Sequence, residues 1–317
     1  MPFRSAAIAI GLVLWGALSS SAPIRALEPE SLPLSPAVGS RTAVPALDFY
    51  DRAVVLCWHT FLGKESIPTD FSVPEFAAQI DTLRSLGYRF ATMEDLVFGR
   101  IRGPLNLVVT IDDGNHSVPE AYEKVLAPRG IEPAIFIYPA VIGTMFFAMK
   151  DSAVRELRDA GCVIGAHGYH HLFINQNLYD HDRFFFNEEV FKSQEKVGEI
   201  TGLPAYLFAY PYGVYSDITI RELMVAGYRN AFAVRTGFVY ADSRLNSPYE
   251  LPRIVVRRDQ WKELLDFLER NAAAATEEIA SGVARGVANG AAHGSAAGEG
   301  VSAQTEPHGL SVEGPAQ

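Results

Sequence analysis

What this chain lacks narrows it first. Its 317 residues hold only two cysteines, Cys57 and Cys162. With no Cys-x-x-Cys pair, a zinc knuckle and a dithiol redox motif are excluded. Both cysteines fall in or beside apolar, strand-like runs ("AVVLCWHTF", "AGCVIGAH"), where a free thiol packs as a small hydrophobe. A single disulfide is the alternative that an exported location permits. Positive charge is also scarce: 27 Lys and Arg stand against 37 Asp and Glu, a formal net charge of −10. Nucleic-acid binders draw their affinity from a basic surface, so no nucleic-acid partner is expected.

Long apolar runs are missing after the N-terminus. The one near it, from about Ala6 to Leu18 in "MPFRSAAIAIGLVLWGALSSSAPIRA", is shorter than the ~20 residues of a spanning helix. Arg4 precedes it and small residues follow, the layout of a secretory signal peptide. Residues 1–26 are therefore expected to direct export, to a periplasmic or extracellular location. An uncleaved N-terminal anchor is the alternative, and no other stable membrane insertion is expected. No cysteine stands near the expected cleavage site to carry a lipid.

What is present is a large core: 48% of the residues are apolar. Residues 27–46, rich in Pro, Ser and Ala, read as a linker, and residues 272–317, rich in Gly, Ala and Ser, as a disordered low-complexity tail that opens with an Ala-rich helix extension. The folded unit is then 47–271. Within it, helical stretches end in a glycine that leads straight into a strand: "LRSLGYRFA" (83–91), "LRDAGCVIGA" (157–166), "LMVAGYRNAFAV" (223–234). "SVPE" (72–75) is a capping-box pattern, and Asp259 is placed to cap "QWKELLDFLER".

Strands are expected at Ala53–Trp58, Leu105–Ile111, Ala134–Tyr138, Val163–Ala166, Tyr206–Tyr210, Ala231–Val234 and Arg253–Val256, with a short one near Tyr88–Ala91. Most are continuously apolar, as parallel strands covered on both faces should be. Strand and helix alternating through about 225 residues predict a single α/β barrel domain, with a doubly wound sheet as the fallback.

Polar residues gather where these strands end. "LNLVVTIDDGNHSV" (105–118) ends an apolar run in two adjacent aspartates, Asp112 and Asp113, whose charges repel. "HGYHH" (167–171) follows another strand, "PYG" (211–213) a third, and "WH" (58–59) a fourth. His167 and His171, four apart, share one side of a helical turn. With a carboxylate from elsewhere they make a two-histidine, one-carboxylate set for a cation; His170 competes at three apart. One aspartate can then bind the cation while the other takes a proton from water that the cation acidifies.

These motifs, "TIDDGN" (110–115), "HGYHH" (167–171) and "YPYG" (210–213), in this order, resemble the polysaccharide deacetylases of the NodB-homology family, the fourth carbohydrate esterase family. "VVLCWHTF" (54–61) is similar to that family's first strand. The resemblance covers roughly residues 50–258. It implies an irregular (β/α) barrel of about seven parallel strands, one catalytic domain, and one divalent metal ion, zinc by preference. The reaction implied is removal of acetyl groups from N-acetylhexosamine residues of a polysaccharide or peptidoglycan. Asp112 would be the general base, Asp113, His167 and His171 the metal ligands, and the Tyr212 backbone N–H an oxyanion donor.

The chain departs from the family pattern at three places. Gly168 stands where Ser or Thr is usual. Ala209 stands where an arginine orients the catalytic aspartate. "LPRIVVRRD" (251–259) lacks the histidine of a Leu-x-His motif that supplies the catalytic acid. Arg253 is the expected replacement for the arginine and His59 for the acid. The partner expected is an N-acetylated glycan. Two alternatives stay open: a carbohydrate-binding homologue that has lost turnover, and an O-acetyl polysaccharide esterase.

Overall fold

The computed structural model describes residues 51–294. The expected signal segment (1–26), the linker (27–46) and the tail beyond 294 lie outside the described residues. In chain order the elements are β1 (Arg52–Trp58), α1 (Val73–Ser85), β2 (Arg89–Phe90), α2 (Met93–Val97), β3 (Asn106–Ile111), α3 (Val118–Ala121), β4 (Ala134–Ile137), α4 (Asp151–Asp159) and β5 (Val163–Ala166). Then come α5 (Gln176–His181), α6 (Arg183–Asn187), α7 (Ser193–Thr201), β6 (Leu207–Ala209), α8 (Asp217–Ala226), β7 (Asn230–Val234), β8 (Val239–Tyr240), β9 (Leu251–Val255) and α9 (Trp261–Gly294).

Seven parallel strands close on themselves in the order β1, β3, β4, β5, β6, β7, β9 and back to β1. The closed (β/α) barrel expected from the strand–helix alternation is therefore what forms, and the open-sheet fallback is not. Its ladders are uneven: β5 and β6 meet at the single pair Ala166–Phe208. β2 pairs with the start of β3, and β8 runs antiparallel along the start of β1. Two-residue β8 escaped the sequence reading because "FVYAD" carries no run long enough to register as a strand.

Strand parity splits the core in two. Inside the barrel lie Ala53, Val55, Val108, Ala134, Phe136, Leu207, Ala209, Phe232 and Leu251, with Met93 and Leu96 of α2 in the same cluster. Between barrel and helices lie Val54, Leu56, Trp58, Leu107, Val109, Ile111, Ile135, Ile137 and Phe208. Both strand faces are dry, which is why the strands read as unbroken apolar runs. Trp58 is structural: its Nε1–H donates to Gln79 Oε1 at 2.9 Å and its ring meets Phe76 edge-on. Cys57 and Cys162 are buried and free, as expected of small hydrophobes.

The helix ends follow the sequence signals. Ser72 and Glu75 form the capping box of α1, and Gly161, which separates α4 from β5, has φ +99°, a conformation that only glycine adopts without strain. Asp259 does not cap α9; its carboxylate takes the Arg257 guanidinium at 2.8 Å. α9 continues past 271 into the Ala-rich stretch. Leu264, Leu268, Asn271 and Ala275, spaced 4, 3 and 4, are one buried helical face. Asn271 donates to the Tyr88 hydroxyl, and Glu278 pairs with Arg52 at 3.1 Å. Alanine sustains the helix there and the packed face holds it against the barrel. No helix among the described residues is long and apolar enough to cross a membrane.

Candidate active site

The two aspartates are separated by backbone geometry. Asp112 continues the β3 ladder, its N–H donating to Trp58 O at 2.9 Å, and its side chain points into the barrel as Thr110 does two residues earlier. Asp113 then turns left-handed, with φ +72°. The turn sends the adjacent carboxylates to different partners. Asp112, 2% exposed, is gripped by Arg253 of β9 through two parallel bonds, Nη1 to Oδ1 at 2.6 Å and Nη2 to Oδ2 at 2.7 Å. Burial works to raise the Asp112 carboxyl, but Arg253, His167 and His59 outweigh it and hold it below the usual carboxylate range.

The histidines meet Asp113 from the neighbouring strand end. His167 follows β5, and its N–H donates to Ile137 O at 2.8 Å. Its Nδ1 lies 2.7 Å from Ala209 O. A carbonyl only accepts, so Nδ1 carries a proton and donates, and Nε2 is the ring atom turned toward Asp113 and His171. His171 Nε2 lies 3.2 Å from His167 Nε2 and 3.4 Å from Asp113 Oδ1, and the third side of this triangle is 3.7 Å. Donors about 2.0–2.1 Å from a tetrahedral zinc ion are about 3.3 Å apart, so the triangle has the right size. Asp113 Oδ1 is buried with no hydrogen-bond partner, as a ligand oxygen would be without its cation. Burial, aided by His167, pushes His171 down to about 4, which keeps its imidazole neutral at neutral pH. These residues fit a divalent cation.

The convergence of His167 and His171 does not come from a helical turn, as their spacing predicted. The segment is a loop, with φ +71° at Gly168 and +67° at His171. Among the described residues, the non-glycine positions with positive φ are Asp113, His171 and Tyr212. All three belong to this site, which places the backbone strain of the fold where the chemistry gathers. His170 takes no part in the triangle; its Nε2 contacts Glu188 Oε2 at 2.6 Å.

The remaining expected residues also arrive. Tyr212, after β6, lays its ring 4.5 Å from that of His171 and stacks on Phe173 at 4.3 Å. His59 lies beyond β1, and its Nδ1 is buried without a partner. Burial lowers its pKa, while Asp112 and Asp113 pull the other way. Ligand atoms of Cys57, His59 and Asp112 approach within 4.8 Å of one another. They do not make a second metal site: Arg253 occupies both Asp112 oxygens, and burial pushes the Cys57 thiol well up, away from the thiolate a metal needs.

One residue of the site was not foreseen. Glu189, fully buried, accepts from Tyr169 N–H at 3.0 Å and His170 N–H at 2.7 Å. In "FNEEVFKSQEKV" it lies between Phe186 and Ser193, and only the structure shows that all three are buried.

Comparison with known proteins follows the same lines. The polysaccharide deacetylase family model matches residues 102–231. The structure of IcaB from Ammonifex degensii is 30% identical, with 69% of this chain and 97% of that one covered and a TM-score of 0.60. BC0361, a polysaccharide deacetylase from Bacillus cereus, is 23% identical over 68% of this chain and 69% of its own, TM-score 0.55. A de-N-acetylase from Aggregatibacter actinomycetemcomitans shares the fold at 15% identity, over 66% and 96% of the two chains, TM-score 0.55. No curated protein matches the chain. The barrel, its strand-end residues and an alignment that spans 97% of IcaB lead to one conclusion: the chain belongs to the polysaccharide deacetylase family, and is a deacetylase by that membership.

Proposed function

We propose that this protein is an exported, zinc-dependent hydrolase that removes N-acetyl groups from N-acetylhexosamine residues of a glycan. The observation that carries the reading is the pairing of a cation-sized triangle (Asp113, His167, His171) with an adjacent carboxylate clamped by Arg253. Asp113, His167 and His171 would hold a divalent cation there, which would supply Lewis acidity to the acetyl carbonyl and to water. Asp112, ionised and oriented by Arg253, takes the proton of the attacking water as a C–O bond forms. The Tyr212 backbone N–H donates to the developing oxyanion.

The C–N bond then breaks to release acetate and an amine. An amine leaves readily only when protonated, and His59, close beside Asp112, is the group that hands on the proton. That second proton-transfer group favours N- over O-deacetylation, since an alcohol leaves more easily. Arg253 in the place vacated at Ala209 favours turnover over a binding role, because a mere sugar binder needs no oriented base. Export rests on the signal-like layout of residues 1–26.

The test is metal analysis of the purified protein with an acetate-release assay before and after chelation. One equivalent of zinc is expected, with activity lost on chelation and restored by zinc. Chitooligosaccharide should release more acetate than acetylated xylan. Asp112→Asn should retain the metal and lose roughly 10²–10⁴ in kcat. Retained sugar binding with no release from either substrate would replace this reading with the binding one.

A further inference from the structure

The loop that carries His171 is held by a single turn of helix. Between α6 and α7 the chain makes a π-helical turn, Glu188–Lys192, a local widening often found at functional sites. From it Glu189 reaches into the histidine loop. Its Oε2 accepts from Tyr169 N–H and its Oε1 from His170 N–H. Ser193, one turn on, donates its hydroxyl to Gly168 O at 2.8 Å. Main-chain groups at 168, 169 and 170 are thus all taken by two buried side chains. His171 follows directly on these anchors, with φ +67°.

A buried carboxylate is costly, and no Lys or Arg pairs with Glu189 among the described residues. Its carboxylate also dictates its neighbour: a Cβ on Gly168 would overlap Glu189 Oε2. The loop therefore has no room for the hydroxyl-bearing residue usual at that position, and the carboxylate does the bracing instead. We propose that Glu189 is a positioning residue for the cation ligand His171, and that Gly168 is glycine to admit it. The inference rests on Asp113, His167 and His171 being the cation site.

Two measurements on full-length protein test it: zinc affinity by chelator competition, and hydrogen exchange of the metal-free protein. Glu189→Gln replaces one acceptor oxygen by an NH₂ that faces N–H donors. It should weaken zinc binding roughly ten- to a hundredfold, as outer-shell changes do, and release the amides of Tyr169 and His170 to exchange. Ser193→Ala keeps the test open should Glu189→Gln fail to fold, and should show the same two effects in milder form. Glu188→Gln, on the same turn but bound to His170 and Lys192 side chains, should leave both readouts unchanged. Zinc affinity equal to wild type in folded Glu189→Gln, or an equal loss in Glu188→Gln, overturns the proposal. Failure of the wild type itself to bind zinc sinks the cation site instead, and the two failures are told apart by that control.

Discussion

Arg253 offers the sharpest test of how the barrel interior works. It is 1% exposed, forks onto Asp112 at 2.6 and 2.7 Å, and lies 5.3 Å from the centre of the Phe136 ring. Arg253→Ala leaves a buried carboxylate without its counter-charge, a loss of about 3–5 kcal/mol by the behaviour of such pairs. For a domain of this size that is a drop of about 6–20 °C in Tm. Burial, no longer opposed by Arg253, then raises the Asp112 pKa. Less of the base is ionised at neutral pH, so kcat/KM falls, by about 10²-fold or more, and climbs again with rising pH. Arg253→Lys retains a charge but not the fork, and should fall between.

The second half of that experiment moves the guanidinium. Ala209 of β6 and Arg253 of β9 both face the barrel interior, with β7 between their strands. Arg253→Ala/Ala209→Arg should recover at least about tenfold in kcat/KM over Arg253→Ala, and part of the Tm. Calorimetry and acetate release across pH 5–9 read both effects. Arg253→Ala within about threefold of wild type at neutral pH, with an unshifted Tm, would refute the argument.

Three further outcomes follow from the same geometry. His59→Ala should lower kcat by about 10²-fold or more while zinc content by metal analysis stays at wild-type level; full turnover would remove His59 from the mechanism. Zinc should raise Tm in proportion to the logarithm of its concentration above Kd, since the unfolded chain lacks the triangle; His171→Ala should abolish that dependence in a thermal-shift titration. In chelated protein, stability should decline as pH falls from about 6.5, because the unfolded chain takes up protons that buried His171 refuses until about 4. A folded pKa below the unfolded one contributes stability at higher pH that is lost on acidification. Asp112, depressed for a different reason, extends the decline below 4. Urea midpoints that are flat between pH 7 and 5 contradict this account.

The strands, the helix-ending glycines and the strand-end clusters were legible because they are local. Period, capping and punctuation depend on neighbours in the chain. "TIDDG" and "HGYHH" could be read as ligand motifs for the same reason. Glu189 was not legible as a brace, because a glutamate on a helix says nothing about which loop passes beneath it. The His167–His171 spacing pointed to the right pair for the wrong reason: a loop, with a left-handed residue at its end, brings the rings together.

What the sequence determined by itself was therefore the set of parts: a parallel barrel and the residues displayed at its strand ends. Tertiary structure alone decided which parts meet. Arg253 lies 141 residues from Asp112, and only closure of β9 onto β1, and of β1 onto β3, sets its guanidinium against that carboxylate. In a closed ring, strands far apart in the chain face one interior layer. A charge lost from one strand can then be supplied from another, and no spacing rule records the exchange.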